Sequence, residues 1–310
     1  MAVRVGVGLG RFVFDGIEPF RSWLDLCEGS RIDSIWQSDR VISREIFHEP
    51  LSLLAMIAGA TRRLKIGTNA VVIGFRDPVT FARQCASIDH LSEGRFLPVI
   101  GVGGGDSEAW KATGRTSKRR GLRANEALEV MTRLWSEENV SFEGEFIQVS
   151  EATLSPRPVQ QPLPLWIGGA SPAAIRRTVR YGNGWLAGLQ DLEGAVATAK
   201  AIRQENREQN GTVAPDHYGA TILYRIETPS EAEKKSKETK SPLKGAAKLM
   251  VSGPAEVLIE KLGAYVAGGI SKFVAIPMAR DEADLMEQTR LLDSEVIPEV
   301  STLKMPVFTA

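Results

Sequence analysis

The chain has 310 residues, of which 43% are hydrophobic and 25% are charged, a composition that suits one large globular domain and excludes a wholly disordered chain. Lys and Arg together number 38, and so do Asp and Glu, so no net charge draws the chain toward nucleic acid or a membrane surface. No stretch reaches the roughly 20 apolar residues of a membrane span, and we expect a cytoplasmic protein.

Short β-branched runs alternate with longer runs of helical periodicity, a pattern typical of βα units around a parallel sheet. The predicted strands span residues 3–9, 32–36, 65–72, 95–102, 165–168, 184–187, 218–226 and 271–276. The predicted helices span residues 17–28, 49–62, 78–90, 121–137, 171–181, 192–207, 254–266 and 281–300. Eight strand–helix pairs predict a (β/α)8 TIM-type barrel, and a doubly wound open sheet is the alternative.

Two long insertions interrupt this alternation, and we expect one domain over residues 1–310 that contains both. The first insertion, at about 103–164 after strand four, includes a hairpin over 140–149 and a proline-rich connector over 155–164. The second, at about 228–250 after strand seven, is dense in Lys, Glu and Ser and indicates a solvated segment.

Active sites of parallel barrels lie at the carboxyl ends of the strands, and two of these ends are rich in glycine. After strand five, Gly168, Gly169, Ala170 and Ser171 lead into a helix, so free backbone amides there suit a phosphate. An ordinary tight turn is the alternative. After strand four, glycines at 101, 103, 104 and 105 favour close approach of something flat, although a flexible loop has the same composition.

A third strand end carries polar and aromatic side chains. Trp36, Asp39 and Arg40 follow strand two and offer an aromatic wall, a hydrogen-bond acceptor and a cation. A surface pair between Asp39 and Arg40, worth less than about 1 kcal/mol, is the alternative.

The sequence has few residues whose type and spacing would make the protein's own side chains the reactive groups. Neither the two cysteines, Cys27 and Cys85, nor the three histidines have metal-site spacing, and we expect both thiols to be buried and no metal to be bound. No serine or cysteine nucleophile with a histidine partner is evident, which indicates that a cofactor carries the chemistry.

Several motifs together resemble the signature of luciferase-like flavin and deazaflavin oxidoreductases. The matching runs are RDP at 76–78, IDHLSEGRF at 88–96, GVG at 101–103, PRPVQ at 156–160, PLWIGG at 164–169 and YGNGW at 181–185. The resemblance as a whole extends from strand one to about residue 187.

The resemblance implies a barrel that holds reduced FMN, or the deazaflavin F420, at the carboxyl ends of its strands, and it implies homodimers. Asn69 and Ala70 match the site of a non-prolyl cis peptide that lies against the flavin ring. Residues 168–171 match the phosphate-binding turn, and Arg120 matches an arginine that reaches the cofactor. Gly8, Gly101 and Gly103 complete the expected cofactor-binding residues.

Two departures from the family pattern bear on the chemistry. Asp39-Arg40 replaces an acidic residue followed by histidine after strand two. Gly104 and Ser107 replace the Glu and Asn that assist catalysis in some F420 enzymes, which argues against a sugar dehydrogenase of that type.

Three functional hypotheses follow from the residues and the resemblance. The first is a monooxygenase that uses O2 and reduced FMN, the latter from a flavin reductase partner, on a small organic substrate. Asp39 and Arg40 would orient that substrate, Arg40 as an electrostatic clamp, and Trp36 would shape the pocket. The second hypothesis is F420-dependent hydride transfer, and the third is a non-catalytic flavin-binding protein.

Overall fold

The computed structural model describes residues 2–105, 107–227 and 249–306, and it has the predicted βα architecture. The strands are β1 (Arg4–Leu9), β2 (Ser34–Gln37), β3 (Lys65–Thr68), β4 (Val71–Val72), β5 (Phe96–Leu97), β6 (Val99–Gly101), β7 (Val140–Glu143), β8 (Gln148–Ala152), β9 (Trp166–Gly168), β10 (Gly184–Leu186), β11 (Tyr218–Ile226), β12 (Met250–Gly253) and β13 (Lys272–Pro277). The helices are α1 (Ile17–Glu28), α2 (Pro50–Ala60), α3 (Pro78–Leu91), α4 (Ala109–Ala112), α5 (Arg120–Ser136), α6 (Pro172–Tyr181), α7 (Leu192–Glu208), α8 (Ala255–Ala267), α9 (Glu282–Leu291) and α10 (Ile297–Ser301). Within the described ranges, none of these helices is both long and apolar enough to cross a membrane.

The parallel sheet closes into the predicted eight-stranded barrel. Barrel strand three consists of β3 and β4, and barrel strand four consists of β5 and β6, which are separated by Pro98. Proline has no amide hydrogen for a strand ladder. Because β3 pairs with β5 and β4 pairs with β6, the two ends of the sheet path belong to neighbouring strands. Strand eight, β13, pairs with β1 on one side and with β11 on the other.

Helices α2 and α3 start where the sequence has a capping carboxylate followed by proline. The Asp77 carboxylate accepts a hydrogen bond from the Thr80 amide at 2.8 Å, and Pro78 occupies the first turn of α3. Glu49 caps α2 in the same way, through the Ser52 amide at 2.8 Å. Side chains at these positions satisfy amides that a helix leaves without partners.

The first insertion contains α5 and an antiparallel hairpin of β7 and β8, as the sequence predicts, and also the short helix α4, which the sequence does not predict. The hairpin turn is fixed to α5 by Glu126, whose carboxylate accepts hydrogen bonds from the amides of Glu145, Phe146 and Ile147 at 2.8–3.0 Å.

The sequence misses two features of the C-terminal third. Strand β12 was not predicted; it pairs in parallel with the end of β11, from Leu223 to Ile226. The predicted charged insertion spans about residues 228–250, and residues 228–248 of it lie outside the described residues. The long helix predicted over 281–300 is interrupted by a π-helical turn, Leu292–Val296, and Pro298, which lacks an amide hydrogen, follows that turn.

Apolar side chains fill the barrel and the layer between strands and helices. The interior cluster consists of Trp36, Val99, Trp166, Leu186, Leu223, Val274 and Ile276. A larger cluster packs the helices against the outside of the sheet. It includes Cys27 and Cys85, both fully buried as predicted, and burial raises the pKa of both thiols well above the usual value.

Candidate functional site

Three small residues lie together toward the carboxyl ends of barrel strands three, four and five. They are Ala70, Gly101 and Gly168, which we call the floor. A Cβ atom at Gly101 would lie 3.8 Å from the Cβ atom of Ala70, and one at Gly168 would lie 3.9 Å from it. Since neither glycine has a side chain, the backbone is open to a flat ligand.

The peptide bond between Asn69 and Ala70 is cis, as the resemblance predicts. The Asn69 side chain is fixed by Thr221 on β11, whose hydroxyl donates to its Oδ1 atom at 2.9 Å. This bond connects strand three to strand seven across the barrel mouth. Contact of Asn69 or Ala70 with a cofactor stays a prediction.

The turn after β9 presents unpaired amides beside the floor. Ser171 is the N-cap of α6 and accepts a hydrogen bond from the Ala174 amide at 3.2 Å, while the Gly169 carbonyl accepts one from the Trp185 indole at 2.8 Å. In the described part of the chain, the amides of Ala170, Ser171 and Ala173 donate to no protein atom. We call these three amides the cradle; amides at a helix start suit a phosphate or another anion.

Arg120 lies at the start of α5, against the glycine-rich loop after β6. Its Nε atom donates to the Gly103 carbonyl at 3.0 Å, and its Nη1 atom lies 3.4 Å from where a Cβ atom of Gly105 would be. No carboxylate pairs with Arg120 among residues 2–105, 107–227 and 249–306. Gly103 has a φ of 71°, and a Cβ atom there would lie 2.8 Å from Val72, so backbone conformation and packing both require glycine.

Two predicted site residues face the barrel interior instead of its mouth. Trp36 lies inside β2 rather than beyond it, is 1% exposed, and donates its indole hydrogen to Ser34 at 2.8 Å. It is part of the core and not a wall of the pocket. At Gly8, a Cβ atom would lie 2.5 Å from the side chain of Ile276, so this glycine makes room for core packing.

Asp39 pairs with Arg76, and not with its neighbour Arg40. Its carboxylate accepts two hydrogen bonds from Arg76, at 2.7 and 3.0 Å, and a third from the Val72 amide at 3.0 Å. The Asp39 side chain is 2% exposed. Burial opposes the positive charge of Arg76, but the hydrogen bonds that Arg76 donates to the carboxylates of Asp39 and Glu49 outweigh it and raise the pKa of Arg76. Asp39 therefore holds Arg76 and the backbone at Val72 in place at the rim of the barrel.

Arg40 is exposed at the rim, with its guanidinium 5.2 Å from the centre of the Phe47 ring. It borders a cleft of about 490 Å³ that reaches Asn69 and is lined on its apolar side by Val41, Ile42 and Phe75. The predicted role of Arg40 as a clamp for substrate is compatible with this position and stays a prediction.

Sequence reasoning missed Arg76 and Thr221 as parts of the site. Arg76 belongs to the RDP motif that carried the resemblance, so the motif itself was the available signal. Thr221 lies in the middle of a buried strand, where its hydroxyl cannot be distinguished from other core threonines by sequence.

In the part of the chain that the structure describes, no three His, Cys, Asp or Glu side chains come together in a group that could hold a metal ion.

The chain is similar to several known proteins. An F420-dependent glucose-6-phosphate dehydrogenase of Amycolatopsis mediterranei is 26% identical over 312 aligned positions, which cover 88% of this chain and 91% of the relative. The monooxygenase RslO1 from Streptomyces bottropensis superimposes with a TM-score of 0.81 at 18% identity, over 95% of this chain and 99% of the other. An F420-dependent secondary alcohol dehydrogenase, solved with an F420-acetone adduct, superimposes with a TM-score of 0.78 at 19% identity, over 97% of this chain and 99% of the other.

The family model for luciferase-like monooxygenases matches residues 15–294, which include the floor, the cradle and the Asp39–Arg76 pair. The chain is a member of the luciferase-like monooxygenase family of oxidoreductases.

Proposed function

We propose that this chain is an F420-dependent oxidoreductase that exchanges a hydride with a small organic substrate at the barrel mouth. The observation that carries the proposal is the floor next to the cradle: a surface of two glycines and one alanine beside unpaired amides, with few reactive side chains around it. The preference for F420 over FMN comes from the relative in Amycolatopsis mediterranei, which is similar along nearly the whole chain. The solved structures, at under 20% identity, support the fold alone.

The residues present fit such a cofactor. Ala70, Gly101 and Gly168 leave room for a flat ring, because no side chain projects from the two glycines. The amides of the cradle suit a phosphoryl group, and Arg120 supplies a nearby cation without a carboxylate partner in the described residues. When bound, F420 supplies a carbon atom that accepts or donates a hydride.

The chain's own residues position the reactants and keep water away. The packed interior, with Trp36 and Trp166, excludes water below the floor. Asn69 is held by Thr221. On the open side, Ile42 and Phe75 supply apolar surface, and Arg40 supplies a positive charge.

The side chains around the cleft favour a substrate other than a sugar phosphate. Gly104 and Ser107 stand where some F420 enzymes have the Glu and Asn that assist catalysis, and both border the cleft. We therefore propose a small alcohol or carbonyl compound with an apolar body.

The test is a pair of binding titrations with F420 and FMN, followed by the same titrations on Gly168→Val. A Cβ atom at Gly168 meets its neighbours at 3.7–3.9 Å, which is ordinary contact for the first carbon of the new side chain, and thermal unfolding verifies that the variant is folded. The branched side chain would cover the floor, and we expect at least about tenfold weaker F420 binding, or roughly 1.4 kcal/mol.

The matched control is Gly59→Ala, at an open position near the end of α2, which should bind F420 like the unmodified protein. Undiminished F420 binding by a folded Gly168→Val protein would rule out the floor as the binding surface. Tight binding of FMN without binding of F420 would contradict the choice of cofactor.

Monooxygenation with reduced FMN is the second candidate, supported by the description of the matching family model. The floor and the cradle serve FMN equally well. This candidate requires O2 consumption coupled to oxygenation of the substrate when a flavin reductase supplies reduced FMN. Binding of either cofactor without any turnover would instead support a flavin-binding protein.

A further inference from the structure

A groove of about 500 Å³ lies between the start of α5 and one face of α6. We call it the basic groove, and its lining includes Arg119, Asn125, Ala173, Arg176, Arg177 and Arg180. Ala173 lies in the first turn of α6, and its amide belongs to the cradle. The basic groove therefore reaches the helix start that carries the proposed phosphoryl site.

A buried cation forms the inner wall of the basic groove. Arg177 is 5% exposed. Its Nε atom donates to Asn125 at 2.8 Å and its Nη2 atom donates to the Gly121 carbonyl at 3.1 Å, so it connects α5 with α6. No carboxylate pairs with it in the described residues. Arginine stays protonated in proteins, so its charge is available to an anion.

Exposed arginines continue the positive surface away from the cradle. Residues 173, 176, 177 and 180 follow helical spacing and share one face of α6. Arg176 is exposed and has no carboxylate partner among the residues that the structure describes. Arg180 and Arg119 pair with Glu129 and Glu145 across exposed contacts. Such contacts are worth less than about 1 kcal/mol, so an anionic ligand can compete for both arginines.

We propose that the basic groove binds the chain of glutamate carboxylates that extends from the phosphoryl end of F420. This inference rests on the proposed function, because FMN ends at its phosphate and would leave the groove empty. A ligand phosphate in the cradle would direct its tail along residues 173 to 180, past Arg176 and Arg180.

The experiment measures binding of F420 preparations that carry no glutamate, two glutamates or five glutamates, by quenching of F420 fluorescence at low and high salt. For the unmodified protein, each added carboxylate that meets an arginine should tighten binding about two- to fivefold. That gain should shrink at high salt, since exposed charges are screened.

The variant Arg176→Gln/Arg180→Gln removes two exposed charges, and thermal unfolding verifies that it is folded. We expect it to bind tail-free F420 as the unmodified protein does but to lose the dependence on tail length. Arg290→Gln, which removes an exposed arginine on α9, is the matched control and should keep that dependence.

The outcomes separate the two proposals. Equal affinity of the unmodified protein for all tail lengths would overturn the role of the basic groove and leave F420 as the cofactor. The same holds if the double variant keeps the full dependence on tail length. Binding of FMN with no binding of any F420 preparation would overturn the proposed function and this inference together.

Discussion

Arg76 connects three segments at the barrel rim, and this residue explains why the loop after strand two has a defined place. Its guanidinium makes a two-point contact with the buried carboxylate of Asp39 and a further contact with Glu49 at 3.3 Å. The paired geometry matches the fork of an arginine to the two oxygens of a carboxylate. The cleft next to Asn69 depends on this arrangement.

Replacing Arg76 by alanine should leave Asp39 as a buried charge without its partner. We expect a loss of about 3–5 kcal/mol in the free energy of unfolding, measured by urea denaturation. The control is Arg21→Ala, which breaks the exposed pair with Glu18 and should cost less than about 1 kcal/mol. Equal, small effects of both substitutions would show that Asp39 does not depend on Arg76.

The identity of the site residues was more predictable than their orientation. Asp39 lies just past strand two as the pattern indicates, but its partners Val72 and Arg76 are distant in sequence, and Trp36 lies inside the strand rather than past it. The Trp36 ring fits inside the barrel because Gly67 opposite it has no side chain: a Cβ atom there would lie 2.5 Å from the ring. Such pairings of large and small residues on adjacent strands arise only from the folded arrangement.

At the scale of elements, α5 and the hairpin of β7 and β8 act as one unit. Glu126 receives three amide hydrogen bonds from the hairpin turn. The Phe146 ring lies 5.1 Å from the guanidinium groups of Arg119 and Arg123, a distance typical of cation–π contacts. The hairpin therefore holds the helix whose first residues border the basic groove.

Glu126→Ala should release the hairpin turn, because three amides lose a charged acceptor. We expect a loss of about 1.5–3 kcal/mol in unfolding free energy and faster hydrogen exchange at the amides of residues 145–147. Glu129→Ala, which removes a carboxylate one turn further along α5 that pairs with the exposed Arg180 and does not contact the hairpin turn through any hydrogen bond of the described residues, is the control. Unchanged protection of those three amides in Glu126→Ala would contradict this role.

Elements with strong local signals were predicted closely, and the others were missed for physical reasons. Helix α1 and strand β11 have the predicted bounds, since the helical periodicity of α1 and the nearly continuous buried run of β11 are signals that act within a few residues. Strand β12 has only four residues and gains its strand conformation from pairing with β11. Its sequence carries no comparable local signal.

At the scale of the whole molecule, contacts between distant segments hold the barrel wall to its helices. Asp284 on α9 accepts hydrogen bonds from Arg225 on β11 at 2.8 Å and from the Arg280 amide at 2.8 Å, and it is 9% exposed. Burial alone would raise the pKa of Asp284, but these hydrogen bonds outweigh it and lower the pKa below the usual 3.8.

A lowered pKa in the folded state makes this contact dependent on pH in a known direction. Its contribution to stability is present above pH 3.8, the usual pKa, and is lost as the pH falls through the lower pKa of the folded state. We expect Asp284→Asn to be less stable than the unmodified protein at pH 6, with the difference shrinking below pH 3.8. Urea denaturation between pH 3 and 6 measures this difference.

Asp25→Asn, which removes an exposed carboxylate on α1, is the control for the general effect of charge on acid stability. A difference between Asp284→Asn and the unmodified protein that stays constant over the whole pH range would exclude the linkage.

The solid interior of the barrel has a stereochemical consequence. Trp36, Trp166 and their neighbours fill the space beneath Ala70, Gly101 and Gly168, so a planar molecule resting there has one side covered by polypeptide and only the other side accessible. Any second reactant must approach from solvent onto that uncovered side. A hydride exchanged at this surface would therefore enter or leave the planar molecule on its uncovered face alone.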